Sequence, residues 1–187
     1  MIKNQSIIYF ERVANFLEVT GVMLVLLMAF IMQFAFNELP CPLCLLQRFG
    51  FMAIAFGFLL NFRFGFRPSH YAIILLSSLF TSFVALRQIA LHVLPGTGHY
   101  GSAVFGLHLY TWSYIVSMLI IISTSALLGI DRQYLEKARK NVYWQYVIQA
   151  LFIFLVFLTV SNIVSAVLEC GFTACPENPA GYVLLSK

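Results

Sequence analysis

Long apolar runs separated by short polar connections are the dominant pattern of this chain. Five stretches stand out, Phe16–Phe36, Cys44–Phe62, Tyr71–Leu91, Leu107–Leu128 and Tyr146–Leu168. Each is close to the ~20 residues that a helix needs to cross the hydrocarbon of a bilayer. The pattern predicts an all-α membrane protein, a compact bundle of five transmembrane helices joined by short connections. The first stretch is long and lacks a small-residue cleavage site, so it is expected to be retained rather than removed as a signal peptide.

Composition strengthens that reading. A chain of 187 residues that is 61% hydrophobic and 10% charged cannot cover itself with a water-compatible surface. No internal repeat, low-complexity tract or extra soluble segment is visible, so residues 1–187 read as one integral membrane domain, with 169–187 as a tail.

Charge sets the expected orientation. Lys3, Arg12, Arg63, Arg67, Arg132, Lys137, Arg139 and Lys140 fall on one side of the predicted spans, out of 11 basic residues in all. By the positive-inside rule that side, with the N-terminus, is cytoplasmic. Five spans then bring Asn37–Cys44, Val93–Gly106 and Glu169–Lys187 to the outer face. The net charge of +4 implies no nucleic-acid partner, because the basic residues flank spans rather than form a stripe. The turn-rich loop Pro95–Ser102 and the apolar Ala103–Tyr110 are expected to lie along the membrane interface, with Tyr110 and Trp112 at headgroup depth. Asp131–Lys140 reads as a solvated helical connector.

Candidate chemistry begins with the four cysteines, which fall as Cys41 with Cys44 and Cys170 with Cys175. Pro40 and Pro42 cannot lie inside a helix, so the second span should start near Pro42 or Leu43 with Cys44 in its first turn. The free N–H groups of that turn favour a thiolate. Arg48, four residues on, shares the face of Cys44 and adds a permanent positive charge. Cys41, ahead of the helix, is expected to be the more exposed member and the one that exchanges with another disulfide. A CxxC also serves as a zinc half-site or an inert staple; the nearby arginine disfavours a cation, and no metal site is expected.

Several segments together resemble the DsbB-type disulfide bond formation proteins of bacterial inner membranes. They are Pro40-Cys41-Pro42-Leu43-Cys44 followed by Gln47-Arg48, then Arg87-Gln88 with Leu91, Leu94 and Pro95, then Phe105-Gly106-Leu107 with Trp112-Ser113. The resemblance orders four spans and implies a four-helix core to which a fifth span is added. It implies a multi-pass protein of the inner membrane with its active site on the periplasmic side; the four-span core alone would end in the cytoplasm, and the fifth span carries the C-terminus to the periplasm. Such a protein oxidises a DsbA-like thioredoxin-fold partner and passes electrons to the membrane quinone pool, ubiquinone or menaquinone. By the same resemblance Cys41 and Cys44 are the quinone-proximal pair and Arg48 the quinone-side arginine. Family members usually carry the partner-facing pair between the third and fourth spans, whereas Val93–Gly106 contains no cysteine here. Cys170 and Cys175, beyond the additional span, are the expected replacement, with a local structural staple as the other reading. The tail after Leu168 is expected to be mobile and accessible.

Other polar residues complete the expected site. Arg87, near the outer end of the third span, is a functional candidate by its position, and His92 is a candidate donor to a quinone carbonyl. His70, His99 and His108 have no compelling partner in the sequence. Glu18 is expected to pair or to snorkel. Two classes of function follow: a quinone-coupled thiol oxidase, or a non-enzymatic membrane subunit or transporter whose disulfides brace outer loops. Against the second, no span carries the paired charges or the Gly/Pro-broken middle of a transport path.

Overall fold

A computed structural model describes residues 2–93, 98, 100–130, 134, 142–173, 175, 179 and 181–185, with the side chains of 2–8 and 142 excepted. Among these, five helices dominate: α1 (Ile2–Ala35), α2 (Pro42–Phe64), α3 (Pro68–His92), α4 (Leu109–Leu128) and α5 (Val142–Cys170). All five are long and apolar enough to cross a membrane, which makes this a multi-pass membrane protein. The helices overrun the predicted spans at several ends because hydropathy marks only the part that matches hydrocarbon. The helix itself continues until a proline, a glycine or a cap stops it.

Helix α2 is the centre of the bundle and packs on α1, α3 and α5, while α3 also packs on α4. Its apolar face, with Phe51, Ile54, Phe58 and Leu59, meets Val22 and Leu26 of α1 and Tyr71 and Ile74 of α3 in one buried cluster. Two glycines let α3 come close. A Cβ at Gly50 would lie 2.0 Å from Thr81 Oγ1, and one at Gly57 would lie 2.6 Å from Ile74 Cγ1. Gly50→Ala should therefore push α3 off α2 and lower stability by about 1–3 kcal/mol, read as an earlier melting transition in detergent. Outward positions such as Leu24, Phe83, Ile122 and Phe157 remain exposed and apolar, as lipid contact requires.

At the end of the bundle away from the cysteines, buried polar groups satisfy one another. Asn15 Nδ2 donates to Tyr71 Oη at 3.1 Å, Asn61 Nδ2 donates to Asn15 Oδ1 at 3.1 Å, and His70 Nδ1 lies 3.0 Å from Asn61 Oδ1. His70 thus has a partner that its sequence context did not reveal. Glu18, half-buried on α1, meets Ser123 of α4.

The connection between α3 and α4 holds the one departure from an all-α chain among the described residues. Ala103–Val104 (β1) and Leu107–His108 (β2) pair antiparallel, with Val104 opposite Leu107. Phe105 and Gly106 form the two-residue turn with φ of 53° and 80°, the positive values that match strand twist in tight hairpins. Leu107 consequently belongs to this ribbon, and α4 begins two residues later than the hydrophobic pattern predicts. His99 and most of the Asp131–Lys140 connector lie outside the described residues, as do Leu94, Pro95 and Pro176–Asn178.

Candidate functional site

Both cysteine pairs are disulfides, Cys41–Cys44 at the start of α2 and Cys170–Cys175 at the end of α5. Pro42 occupies the first helical turn and Cys41 is the N-cap, its Sγ accepting the Cys44 backbone N–H at 3.1 Å. Local chemistry explains the placement: Pro42 gives up an N–H that has no intrahelical acceptor, and the sulfur takes one of the remaining orphan donors.

Exposure within that pair runs opposite to the expectation that Cys41 is the more exposed member. Cys41 is buried at 6% exposure, whereas Cys44 is half-buried and lines a cavity of about 80 Å³. Gln47, Arg48 and Phe51 of α2, Leu26 and Ala29 of α1, and Tyr110 of α4 form much of its wall. Cys41 precedes the helix, as expected, but other elements cover it.

Tyr100 and Gly101, in the connection between α3 and α4, also line the cavity. The Tyr100 hydroxyl donates to the Leu39 carbonyl at 2.5 Å, and Ser102 donates its N–H to Glu38 Oε1 at 3.1 Å and its hydroxyl to the same oxygen. Burial, reinforced by the Glu169 and Glu38 carboxylates, pushes the Tyr100 phenol up from 10.0 to about 12, with Arg48 acting the other way. Folding thus holds this proton more tightly than the unfolded chain does. The associated stability is fully present below pH 10 and is lost as pH rises through about 12. The difference in melting temperature between the natural chain and Tyr100→Phe should shrink across that window.

Arg48 is buried and bonded to α1 rather than aimed at sulfur. Its Nη1 donates to Gln33 Oε1 at 2.6 Å, its Nη2 donates to the Ala29 carbonyl at 3.0 Å, and its guanidinium lies 5.1 Å from the centre of the Phe30 ring. Gln33 in turn donates from Nε2 to Ser165 Oγ of α5 at 2.5 Å and to Tyr182 Oη at 3.1 Å. Tyr182 is therefore tied to the arginine through a single glutamine.

That link depends on a tail that folds back. Leu184 N–H donates to the Leu168 carbonyl at 3.1 Å and Val183 N–H to the Glu169 carbonyl at 3.4 Å, bonds that satisfy carbonyls at the end of α5. Gly171, at φ 64°, makes the turn that starts the return. The described part of the segment after Leu168 is tied back to the end of α5 by these bonds, while Phe172 and Val183–Leu185 remain exposed. Cys170 is buried at 4% exposure and Cys175 is half-buried. Glu169 is buried beside Cys170, and its Oε2 has no hydrogen-bond partner among the described residues.

The other expected site residues divide. His92 does not line the cavity; it stacks on Tyr110, which does, with ring centres 5.5 Å apart. His108 stacks on the same tyrosine at 5.4 Å and donates from Nδ1 to the Gly101 carbonyl at 3.2 Å, so it too has partners. Trp112 Nε1 donates to the Val104 carbonyl at 2.9 Å, which anchors the hairpin to α4. Arg87 is exposed, while its neighbour Gln88 is buried against the sulfurs. Gln88 Nε2 lies 3.2 Å from Cys41 Sγ and 3.5 Å from Cys44 Sγ. Gln33, Ser165 and Tyr182 carry no charge or motif strong enough to mark them as site residues from sequence alone, and Gln88, though part of the Arg87-Gln88 segment, is overshadowed by the charge beside it. The available signal was an uncharged polar residue near the end of an apolar run.

The cavity fits a quinone in its chemistry: apolar walls for a ring, and Arg48 and Gln47 as N–H-bearing groups for an acceptor. Two of the arginine's five N–H donors are used by α1. Its volume is below the ~300–1,000 Å³ of sites that enclose a whole ligand, so the fit is to one edge of a flat ring.

Comparison with known proteins adds a family. Residues 11–100 match the family model described as "Disulfide bond formation protein DsbB", a range that includes most of α1, all of α2 and α3, and the Cys41–Cys44 disulfide. No curated protein and no solved structure matches the chain. Over that range, a little under half of the 187 residues, the chain is similar to the DsbB family, and its second disulfide lies in a C-terminal segment that the match does not reach.

Proposed function

We propose that the protein is a quinone-coupled thiol oxidase of the bacterial inner membrane that reoxidises a periplasmic DsbA-like dithiol partner. The similarity of residues 11–100 to the DsbB family supports thiol oxidoreductase chemistry; the acceptor, the partner and the side of the membrane are proposed with it. The observation that carries it is the position of Cys44, which shares one cavity with Arg48 and Gln47 at the end of a spanning helix.

A partner thiolate attacks the Cys170–Cys175 disulfide, and its electron pair forms a mixed disulfide while one tail sulfur leaves as thiolate. The partner's second thiolate then displaces the other tail sulfur, which completes the partner's disulfide. The reduced tail pair repeats this exchange on Cys41–Cys44, restoring its own disulfide and leaving the α2 pair reduced. Ubiquinone or menaquinone, when bound, supplies a two-electron, two-proton acceptor. Arg48 and Gln47 would hold its carbonyl edge, with Leu26, Ala29 and Phe51 against the part of the ring next to that edge. Arg48 stabilises negative charge on Cys44 and on the acceptor edge, because a charge fixed in a water-poor site acts more strongly than in solution.

The test is thiol trapping of all four cysteines in intact cells and in detergent, before and after a reduced DsbA-like protein and a quinone are added. Both pairs should become reduced with the partner and reoxidise with quinone, and a membrane-impermeant reagent should reach the reduced tail pair from the periplasmic side. Pairs that never change state would make the disulfides structural. Labelling only from the cytoplasmic side would reverse the orientation.

A further inference from the structure

Gln88 presents a hydrogen-bond donor to both atoms of the bond that breaks. The side chain is 1% exposed. Its Nε2 reaches Cys41 Sγ at 3.2 Å and Cys44 Sγ at 3.5 Å. Its Oε1 is occupied by Gln47 Nε2 at 2.6 Å, which holds the amide with its NH₂ group toward the sulfurs. A disulfide sulfur is a weak acceptor, so the oxidised state gives this buried donor little in return. A thiolate at either position is a far stronger acceptor, and its hydrogen bonds are about twice as strong as neutral ones. The amide therefore complements the charge that appears when the disulfide opens, rather than the disulfide itself.

We propose that Gln88 is a catalytic residue of thiol exchange, donating its Nε2–H to the sulfur that leaves as thiolate when the Cys41–Cys44 bond breaks. The proposal rests on the reading of this pair as redox-active. In the step, a thiolate of the reduced second pair attacks one sulfur and its electron pair forms the new S–S bond. The electron pair of the old bond leaves on the other sulfur. Charge passes from attacking to leaving sulfur with no further oxidant or proton. Since Nε2 reaches both atoms, it serves whichever sulfur leaves. Gln47 is a positioning residue that acts through the amide.

The experiment uses the full chain in detergent, reduced and freed of quinone, with iodoacetamide alkylation of Cys41 and Cys44 followed by peptide mass spectrometry across pH. Gln88→Leu should slow alkylation near pH 7 about tenfold, the value of one unit in thiolate population. Rates should converge at high pH, where every thiol is ionised; a packing defect would not produce that convergence. Reduction of the disulfide by dithiothreitol should slow by a similar factor, because the leaving thiolate loses its donor. Gln88→Glu, of the same shape but without the NH₂ group, should slow both reactions further, and it keeps the test open if the leucine variant fails to accumulate. Gln47→Leu should give a smaller change of the same sign. Rates equal to those of the natural chain in the folded Gln88 variants would overturn the proposal. None of these readouts needs a quinone, so failure of quinone turnover would strike the proposed function and leave them unaffected.

Discussion

Cys170→Ser together with Cys175→Ser should abolish oxidation of a protein dithiol while the Cys41–Cys44 disulfide still forms with quinone. The expectation rests on both pairs lying at one end of the bundle, joined by the chain from Arg48 through Gln33 to Ser165 and Tyr182. The loss should be at least a hundredfold in rate, since the disulfide that remains, Cys41–Cys44, has one sulfur residue buried and the other half-buried in the cavity. Cys44→Ser should do the reverse, leaving the tail pair reduced after one turnover. Cys175 is the more accessible tail sulfur, so in Cys170→Ser its free thiolate should attack the disulfide of an oxidised partner, releasing one partner thiolate and leaving a mixed disulfide with Cys175 that is visible on a non-reducing gel. The bundle should survive these changes. Opening a loop with a sequence separation of 5 costs about 2 kcal/mol on a chain-entropy account, and the tail keeps its backbone bonds to Leu168 and Glu169. Partner oxidation at the natural rate in the double variant would make the tail disulfide a staple and leave the first pair to work alone.

The parts of this arrangement that could be read from the sequence are those with local causes. Pro40 and Pro42 dictate where α2 begins, and that alone puts Cys44 in a first helical turn. Five apolar runs dictate five helices, and their odd number brings α2's start and α5's end together. What escaped is decided between helices. Arg87 is the louder signal, a charge in an apolar segment, yet adjacent helical residues point about 100° apart; in this packing the arginine is exposed and Gln88 meets the sulfurs. The burial of Cys41 depends on neighbours that its position ahead of the helix does not reveal. The fold of the tail likewise depends on carbonyls at the end of α5 that need donors, and on Tyr182 finding Gln33 at a sequence distance of 149. Separations of that size leave no trace in hydrophobic periodicity.

Arg48 carries the other large expected effect, and its geometry separates binding from chemistry. Arg48→Ala should lower kcat/KM for quinone about a hundredfold, the range seen when a fixed charge is removed from a reacting site. It should also leave Gln33 Oε1 and the Ala29 carbonyl without their donor, at a cost of about 1–3 kcal/mol for each buried group that finds no water. A fall in melting temperature is therefore part of the same expectation. Arg48→His removes the permanent charge and should resemble the alanine variant. Arg48→Lys keeps the charge but loses the planar fork that bonds Gln33 and Ala29 together, so an intermediate defect, greater in KM than in kcat, is expected. Tyr182→Phe isolates the positioning contribution. It removes one hydroxyl from Gln33 and leaves the charge in place, and a hydrogen bond of net worth about 0.5–1.5 kcal/mol corresponds to about two- to tenfold. That change should fall on quinone KM, while dithiothreitol reduction of Cys41–Cys44 proceeds as before. Steady-state kinetics over a range of quinone concentrations, with the partner in excess, resolves the two constants. Unchanged quinone kinetics in Arg48→Ala would remove the arginine from the site; a Tyr182→Phe defect confined to kcat would mean that the tyrosine acts on electron transfer and not on the orientation of Arg48.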